Sequence, residues 1–561
     1  MHPCFCGASY FCFKGECSVT RLIDLFKRQD DIQSLFQQVQ PGQTHLVTGI
    51  AGSARALFSY ALLEEKQEQI IWISQNSFHA NKLASSLSDF LPQDKIHVFE
   101  TNDVLHAEMA FASPEAVADR VEAMEFLASG QPGIVIIPLA GVRKLLPSLD
   151  LYRQMPLTIQ MASDLDLDDL SRHLVKIGYR HDQKVAKSGE FSIRGGIIDI
   201  FPIGYPDPVR IELFDTEVDS MRRFDLESQR SVENIDQVRI LPAKDYFLTE
   251  DNQAQALKAF NDKLDYTMQK LRDQALKDDL AKNMTRVEDS LKAGENSDLL
   301  APFVDLLYPD KTSILDYAKE SAIFLVDEYP RVIENNAQLN DEEALWQTDQ
   351  LSRGKILHDL SFSQDFRDLM GAKKQGKIYF SLFQKGMGSL KLDSITPIHY
   401  RQMQKFFGQM PMVKTEMERY AKQNYTVVVM AEDEDRAQAI QATFADFDIP
   451  CLLTEPDQIE VGQVQVIPQA IPEGFELIGT KLALIAESDL FNRVTKKKAR
   501  RRQVSNAERL KSYNELQPGD YVVHTQHGIG RYQGLETMTI DGINQDYLAV
   551  EYDQGSKLYI P

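Results

Sequence analysis

The chain has 561 residues, of which 43% are hydrophobic and 26% are charged, a composition typical of a globular protein with about three to five domains. Its 83 acidic and 61 basic side chains give a net charge of −22, which argues against a general nucleic-acid coat because such a coat needs a basic face. No run of residues approaches the roughly 18 apolar positions that span a bilayer, so we expect no membrane segment.

Four of the five cysteines lie in the first 17 residues. Their spacing lacks the paired knuckles that structural zinc prefers, so we predict no metal, and a signal peptide fits poorly because a basic start and an apolar core are missing. Lys14-Gly15-Glu16 can be encoded by a purine-rich ribosome-binding sequence and Val19 by a GTG start codon, so we interpret residues 1–18 as a non-native extension. The rest is nearly free of cysteine, which predicts a reducing cytoplasm. The cysteines are Cys4, Cys6, Cys12, Cys17 and Cys451.

Residues 19–150 alternate strand-like and helix-like segments, and this alternation predicts a parallel α/β sheet. Ser113 and Pro114 are typical of a helix start, as the N-cap and the first helical residue. The predicted strands are Thr44–Thr48, Gln69–Ser74, Lys95–Phe99 and Gly133–Pro138, and the predicted helices are Ala54–Glu65, Phe78–Phe90 and Pro114–Ala128.

The segment between the first strand and the first helix has the outline of a phosphate-binding loop. A working loop presents a Lys to the phosphates and a Ser or Thr hydroxyl to Mg²⁺. Here those positions are Arg55 and Ala56, and a methyl group cannot bind Mg²⁺, so we predict a degenerate loop without nucleotide hydrolysis. The alternative is an ordinary strand-to-helix turn. The loop residues singled out are Gly49, Gly52, Ser53, Arg55 and Ala56.

The sequence pattern changes in residues 151–242 and predicts a small α+β insert with an antiparallel sheet. An amphipathic helix is expected at Leu165–Ile177, with Gly178 as its stop. Short strands then follow closely. They are predicted at Glu190–Arg194, Gly196–Phe201, Pro208–Phe214 and Ser220–Asp225.

Residues 243–350 return to the first domain through the polar helical stretch Thr249–Leu291 and a strand at Ala322–Val326. The strand ends in Asp327-Glu328, which resembles the acidic tip of a Walker B strand, but we favour a solvated pair because Ala56 leaves little Mg²⁺ to hold. Residues 351–490 predict a second α/β module. Its predicted strands are Lys377–Leu382, Tyr425–Ala431, Val464–Ile467 and Lys481–Ala486.

Residues 491–513 form a basic linker. Such a charge block is typical of a solvated linker, and contacts to nucleic-acid phosphates are the alternative. The candidate phosphate contacts are Lys496, Lys497, Lys498, Arg500, Arg501 and Arg502.

Residues 514–561 are dense in strand signals and contain the turn Asp541-Gly542. They predict a small antiparallel β-barrel of the Tudor or SH3-like kind. Because Pro561 directly follows a strand, we expect it to be a truncation point. The fold class is therefore multidomain α/β, with a degenerate P-loop NTPase-like domain, an α+β insert, a second α/β module and a terminal barrel.

Two blocks of sequence resemble known families. Gly519–His524 with His527–Tyr532 is similar to the RNA-polymerase-interacting domain of the bacterial transcription-repair coupling factor. Ser188–Pro202, continued by Arg210–Asp215, is similar to the insert that this factor shares with the excinuclease B subunit, where it docks the excinuclease A subunit. The degenerate loop agrees, because the coupling factor lost the functional loop of the B subunit. The resemblance covers Val19–Pro561.

The chain also departs from the excinuclease B pattern. Phe99–Ala112 lacks the tyrosine-rich character of the hairpin with which the B subunit grips DNA, so we expect no gripping of damage. The resemblance further implies that ATP, Mg²⁺ and duplex DNA belong to motor domains that this chain does not contain. We expect no cofactor in this fragment, a monomer, and an A-subunit surface that is exposed rather than masked by the missing parts.

The resemblance also implies which residues meet the partners. Arg180 and Arg194 match positions that meet the A subunit, and Phe201 is a candidate apolar anchor nearby; the alternatives are that Arg194 braces Glu190 and that Phe201 is a core residue. In the terminal domain the strand around Met538 is the expected docking edge for the polymerase β subunit, unless Met538 is a core residue. The polymerase-binding residues singled out are Met538, Thr539 and Ile540.

The expected function is a non-catalytic adaptor between stalled RNA polymerase and excision repair. One alternative is an ATP-dependent excinuclease or helicase subunit, against which Ala56 and the absent motor motifs count. The other is a stand-alone polymerase-binding regulator, against which the excinuclease-like first half counts.

Overall fold

The computed structural model describes residues 20–101, 114–226, 228–294, 296–384, 386–388, 390–491, 521–524, 528–540, 543–552 and 557–560. The chain forms two compact units, Met1–Ala499 and Arg500–Pro561, and each is described by itself. The predicted extension at 1–18, most of the segment Phe99–Ala112 and the basic block Lys496–Arg502 lie outside the described residues. In the described part of the chain, no helix is both long and apolar enough to cross a membrane.

The strands are numbered in chain order. They are β1 Thr44–Thr48, β2 Gln69–Ser74, β3 Ile96–Val98, β4 Gly133–Pro138, β5 Leu157–Gln160, β6 Arg180–His181, β7 Glu190–Arg194, β8 Ile197–Ile200, β9 Val209–Phe214, β10 Glu217–Phe224, β11 Ser231–Asn234, β12 Gln237–Ile240, β13 Ile323–Val326, β14 Gly376–Ser381, β15 Ser394–Pro397, β16 Tyr400–Gln402, β17 Thr426–Met430, β18 Leu452–Leu453, β19 Val464–Ile467, β20 Phe475–Leu477, β21 Leu482–Ala486, β22 Tyr521–His524, β23 Gly528–Ile540, β24 Ile543–Glu551 and β25 Lys557–Ile560.

The α-helices are referred to by their ranges. They are Thr20–Phe26, Asp30–Gln38, Ser53–Lys66, Ser77–Leu87, Pro114–Ser129, Leu139–Arg143, Leu149–Arg153, Leu167–Lys176, Glu250–Lys270, Gln274–Ala293, Val304–Leu307, Tyr329–Ser352, Phe366–Ala372, Met410–Lys422, Glu434–Asp446 and Glu487–Leu490.

The central domain is built on a seven-stranded parallel sheet in the order β15-β1-β14-β13-β2-β4-β3. The predicted parallel α/β sheet is confirmed, and β1, β2 and β4 begin and end at the predicted residues. One assignment is wrong. The strand Gly376–Ser381 pairs with β1 and β13 in this sheet and does not belong to the second module, because an apolar run carries no information about which sheet will bury it.

The insert between β4 and β13 forms a six-stranded sheet in the order β11-β10-β9-β8-β7-β6, with antiparallel pairing from β7 to β11. Strands β5 and β12 pair separately and frame the insert. The helix Leu167–Lys176 ends near Gly178, whose φ of 95° is the left-handed conformation expected of a helix stop. The predicted α+β insert is therefore confirmed in outline.

A helical layer connects the insert to β13. Its hairpin pairs the helices Glu250–Lys270 and Gln274–Ala293, and Thr249 starts the first of them with a capping box. Phe260 and Met284 lie in the buried cluster that holds this layer together. The predicted helical character of the stretch Thr249–Leu291 is confirmed, and the stretch forms two helices.

The second module is a six-stranded mixed sheet in the order β16-β20-β21-β17-β19-β18. Strands β17, β18, β19 and β21 run parallel, and β16 and β20 pair antiparallel. Its core is continuous with that of the central domain, because Val428, Phe475 and Leu484 belong to the same hydrophobic cluster as Leu57.

The terminal unit contains an antiparallel sheet in the order β22-β23-β24-β25. Strands β23 and β24 are long, and residues 541–542 between them, where the turn is predicted, lie outside the described residues. Closure of these strands into a barrel stays a prediction.

Candidate functional site

The degenerate loop lies at the carboxyl end of β1 and leads into the helix Ser53–Lys66. Gly49 and Gly52 have φ values of 95° and 54°, the left-handed region that favours glycine. A Cβ atom added at Gly49 would collide with the carbonyl oxygen of Ile398. The loop therefore makes two glycine-dependent bends, and protein is packed closely against the first of them.

Arg55 turns away from any ligand and binds the acidic pair at the end of β13. Its two terminal nitrogens donate to a carboxylate oxygen each of Asp327 and Glu328, and its Nε donates to the Ile50 carbonyl oxygen at 2.8 Å. Arg55 and Asp327 are each only 8% exposed. Our interpretation of Asp327-Glu328 as a solvated pair is therefore wrong.

The electrostatics of this cluster are those of a buried ion pair. Burial raises the pKa of Asp327 above its ordinary value, while the adjacent Arg55 guanidinium acts in the opposite direction. The guanidinium also lies over the ring of Phe380, 5.5 Å from its centroid. Arg55 is thus held on three sides by protein groups, which leaves it engaged where a P-loop lysine would meet phosphate.

Ala56 and Ser53 occupy the rest of the loop. Ala56 is fully buried in the hydrophobic cluster. The Ser53 hydroxyl is buried as well, without a hydrogen-bond partner among the described residues. Ser53, Arg55 and Ala56 are therefore buried together, whereas Gly49 is partly exposed and Gly52 is exposed.

A second arginine cluster lies on the sheet of the insert. Arg194, at the end of β7, donates to Asp199 Oδ2 at 2.6 Å, and Arg210 of β9 donates to both oxygens of Asp199 at 2.6 and 2.9 Å. Asp199 is 2% exposed, whereas the Arg194 side chain is 52% exposed. One buried carboxylate therefore binds two guanidinium groups, of which that of Arg194 is half exposed while the Arg210 side chain is only 17% exposed. Arg194 braces Asp199 and not Glu190.

Arg210 is the better fixed of the two arginines. Its hydrogen bonds to Asp199 raise its pKa, and its guanidinium stacks over Phe224 at 4.5 Å from the ring centroid. A side chain held by a bidentate ion pair and an aromatic ring loses little further freedom when it meets a partner. Sequence reasoning missed Arg210, although its position two residues from Glu212 in an alternating strand was a usable signal.

An exposed aromatic side chain completes this surface. Phe214 ends β9 and is 79% exposed. Because side chains alternate along a strand, it shares a face with Arg210 and Glu212, and Ile197 lies opposite Glu212 in the register. We call Arg194, Ile197, Asp199, Arg210 and Phe214 the docking face.

Two other predicted residues lie away from the docking face. Phe201 is fully buried and continues the buried run of β8, which agrees with the alternative that it is a core residue rather than an anchor. Arg180 lies in the edge strand β6 and pairs with Asp298 at 3.2 Å, where both side chains are largely exposed and Lys244 joins the same carboxylate at 2.9 Å. The structure therefore separates Arg180 from Arg194 and Arg210.

In the terminal unit, Met538, Thr539 and Ile540 lie in β23 opposite residues 543–545 of β24. Strand β22 pairs only with residues 528–531 of β23. Among the described strands, the Met538 stretch thus has a neighbour on one side only. Such an edge offers backbone N–H and C=O groups to a strand of a partner.

Comparison with known proteins identifies both regions. A model of the UvrB interaction domain matches residues 157–246, which contain the docking face, and a model of the CarD-like/TRCF RID domain matches residues 516–561. The chain therefore contains one segment that matches each of these two domain models.

The same combination occurs in curated relatives. The chain is 38% identical over 537 residues to the transcription-repair-coupling factor of Bacillus subtilis strain 168, a match that covers 95% of the chain and 46% of the relative. It is 34% identical over 550 residues to the protein of that name from Staphylococcus aureus strain MRSA252, with 97% and 46% covered. The resemblance to this family is confirmed over 95% or more of the chain. The chain spans about half the length of the curated relatives that it matches.

Proposed function

We propose that the chain is the adaptor portion of a transcription-repair coupling factor. It binds the β subunit of a stalled RNA polymerase through the terminal unit and recruits the excinuclease A subunit through the insert. The observation that carries the proposal is the docking face, with Arg194 and Arg210 fixed on one buried carboxylate beside the exposed Phe214. Arginine and aromatic side chains are those enriched at protein interfaces. Both proposed partners act on the chromosome, so the proposal places the chain in the cytoplasm.

The test is a pull-down of the 561-residue chain with each partner separately. We expect both the A subunit and the polymerase β subunit to be retained. The double variant Arg194→Ala/Arg210→Ala should lose the A subunit and keep the polymerase. Failure of the unmodified chain with both partners would contradict the adaptor function.

The polymerase contact is proposed to be the Met538 edge of β23. Met538→Asp places a charge on this edge, and we expect it to abolish retention of the polymerase β subunit while A-subunit binding is kept. A matched control is Glu551→Gln, at the far end of β24, which should leave polymerase binding intact. Normal polymerase binding by Met538→Asp would reject the assignment.

We also propose that the strands of the terminal unit close into a barrel. A further proposal is that the loop at 49–56 descends from a P-loop and that the 561-residue chain binds no ATP. Arg55 is engaged by two carboxylates and Ala56 offers no ligand to Mg²⁺. ATP-driven movement on duplex DNA is proposed for the half of the relatives that this chain does not match. Equilibrium binding of a fluorescent ATP analogue to the chain tests this, and saturable binding would contradict it.

A further inference from the structure

The degenerate loop is covered by the chain beyond β15. The Ile398 N–H donates to the carbonyl oxygen of Thr48 at 2.8 Å, and the Ile398 carbonyl lies against Gly49. From the second module, the Glu473 carboxylate approaches Gly52 so closely that a Cβ atom added there would lie 2.9 Å from Glu473 Oε2. Gly49 is therefore close to the segment that leads to the second module, and Gly52, which is itself exposed, is close to Glu473 of that module.

The apolar side chains of the loop fit the same arrangement. Ile50, Ala54 and Ala56 are buried, and they belong to one hydrophobic cluster with Ile471 and Phe475 of the second module. A hydroxyl group in place of the Ala56 methyl would bury a polar group in this cluster, at a cost of about 1–3 kcal/mol. The alanine at position 56, which lacks the Mg²⁺-binding hydroxyl of a working loop, is thus also the side chain that suits burial in this cluster.

The negative charge of Glu473 is favourable at the amino end of the helix Ser53–Lys66. Gly52 is the N-cap of the helix Ser53–Lys66, and the positive end of a helix dipole favours an anion. Glu473 is such an anion, and Lys82 Nζ lies 3.4 Å from its Oε1. Burial raises the pKa of Tyr400 to about 12, and the charge of Glu473 adds to this rise.

We propose that the degenerate loop is the site at which the second module is anchored to the central domain. The Glu473 carboxylate occupies the region at the amino end of the helix Ser53–Lys66 that a nucleotide phosphate occupies in a working P-loop, and it holds the second module rigidly on the central domain. This role is independent of the two docking functions. The loop would then serve as a structural contact between the central domain and the second module.

The experiment is backbone hydrogen exchange on the 561-residue chain and on Glu473→Lys. The variant turns an attraction to Lys82 into a repulsion, so the amide of Ile398, which bonds to Thr48 beside the loop where the chain leaves the central sheet for the second module, should exchange about fivefold faster. Amides within β17 should not change. The matched control Glu455→Lys makes the same charge change at an exposed site of the same module and should leave all these rates unaltered.

A charge swap provides the decisive arm. Lys82→Glu combined with Glu473→Lys should restore the exchange rates of the unmodified chain, because the pair is attractive again. Rates that are equal in Glu473→Lys and Glu455→Lys, or a swap that restores nothing, would overturn the proposal. Inorganic pyrophosphate added to the unmodified chain should not alter the Ile398 rate; a faster rate on addition would show a ligand site in place of a structural contact.

Discussion

The central domain and the insert each carry an arginine cluster built on carboxylates, and the two clusters differ in exposure rather than in chemistry. Arg55 is buried between Asp327 and Glu328, whereas Arg194 stands half exposed on Asp199. A buried cluster leaves nothing for a partner to meet and fixes the fold around it. In the insert cluster Asp199 and most of Arg210 are buried, and they fix the position of the half-exposed Arg194 charge, which solvent or a partner can reach. The same pair of residue types therefore serves structure in one place and recognition in the other.

The largest effect is expected from breaking the buried cluster. Arg55→Ala leaves Asp327 and Glu328 buried without their cation, and we expect a loss of about 3–5 kcal/mol in the free energy of unfolding. Urea unfolding can be followed through Trp72 of β2, which stacks on Phe380 beneath the arginine, in a chain whose other tryptophan is replaced by Trp346→Phe.

Two further variants show whether burial is the cause. Arg331→Ala breaks an exposed ion pair with Glu334 and should cost less than about 0.5 kcal/mol. Replacing the whole cluster, with Asp327→Asn and Glu328→Gln added to Arg55→Ala, should recover part of the loss because no buried charge remains. A small effect of Arg55→Ala would remove the distinction between the two clusters.

The next effect separates recognition from packing within the insert. Phe214→Ala removes an exposed side chain, so stability should stay within about 0.5 kcal/mol while A-subunit affinity falls about 30-fold, the loss of a hot-spot aromatic. Calorimetric titration with the A subunit measures the affinity. Phe201→Ala removes a buried side chain instead and should lower the free energy of unfolding by about 3–5 kcal/mol.

Phe78 supplies a matched control for this prediction. It is an exposed phenylalanine of the central domain, 71% exposed and remote in sequence from the insert. Phe78→Ala should leave A-subunit affinity unchanged. Equal losses in Phe78→Ala and Phe214→Ala would mean that the docking face is not the site.

A smaller effect is expected at the exposed arginine. Arg194→Ala removes a single hydrogen bond to Asp199, which keeps both bonds from Arg210, so stability should change little. Affinity for the A subunit should fall about tenfold, the value of one charge-assisted hydrogen bond. Arg194→Lys keeps the charge but not the planar fork and should be intermediate. Unchanged affinity in Arg194→Ala would refute its role.

The sequence predicted the sheets better than the surfaces. Strands β1, β2 and β4 follow from apolar runs bounded by turn residues, and these signals are local. The placement of β14 between β1 and β13 is not local, because several sheets could bury the same run. Phe201 and Phe214 are both aromatic residues at strand ends. Whether such a residue is a core residue or an exposed anchor depends on how deeply the strand end is buried, and the fold as a whole determines that burial. The Arg55 cluster joins positions 272 residues apart in the chain, so the acidic pair looked solvated until the fold closed on it.

The smallest effect concerns salt and tests the comparison itself. Raising ionic strength from 0.1 to 1 M shortens the Debye length from about 10 to 3 Å, which screens exposed charges far more than buried ones. A-subunit binding should therefore weaken several-fold with salt, and Arg194→Ala should show a shallower dependence because it has one exposed charge fewer. The stability difference between the unmodified chain and Arg55→Ala should stay constant within about 0.5 kcal/mol over the same range. If both quantities responded alike, exposure would not be what distinguishes the two arginine clusters.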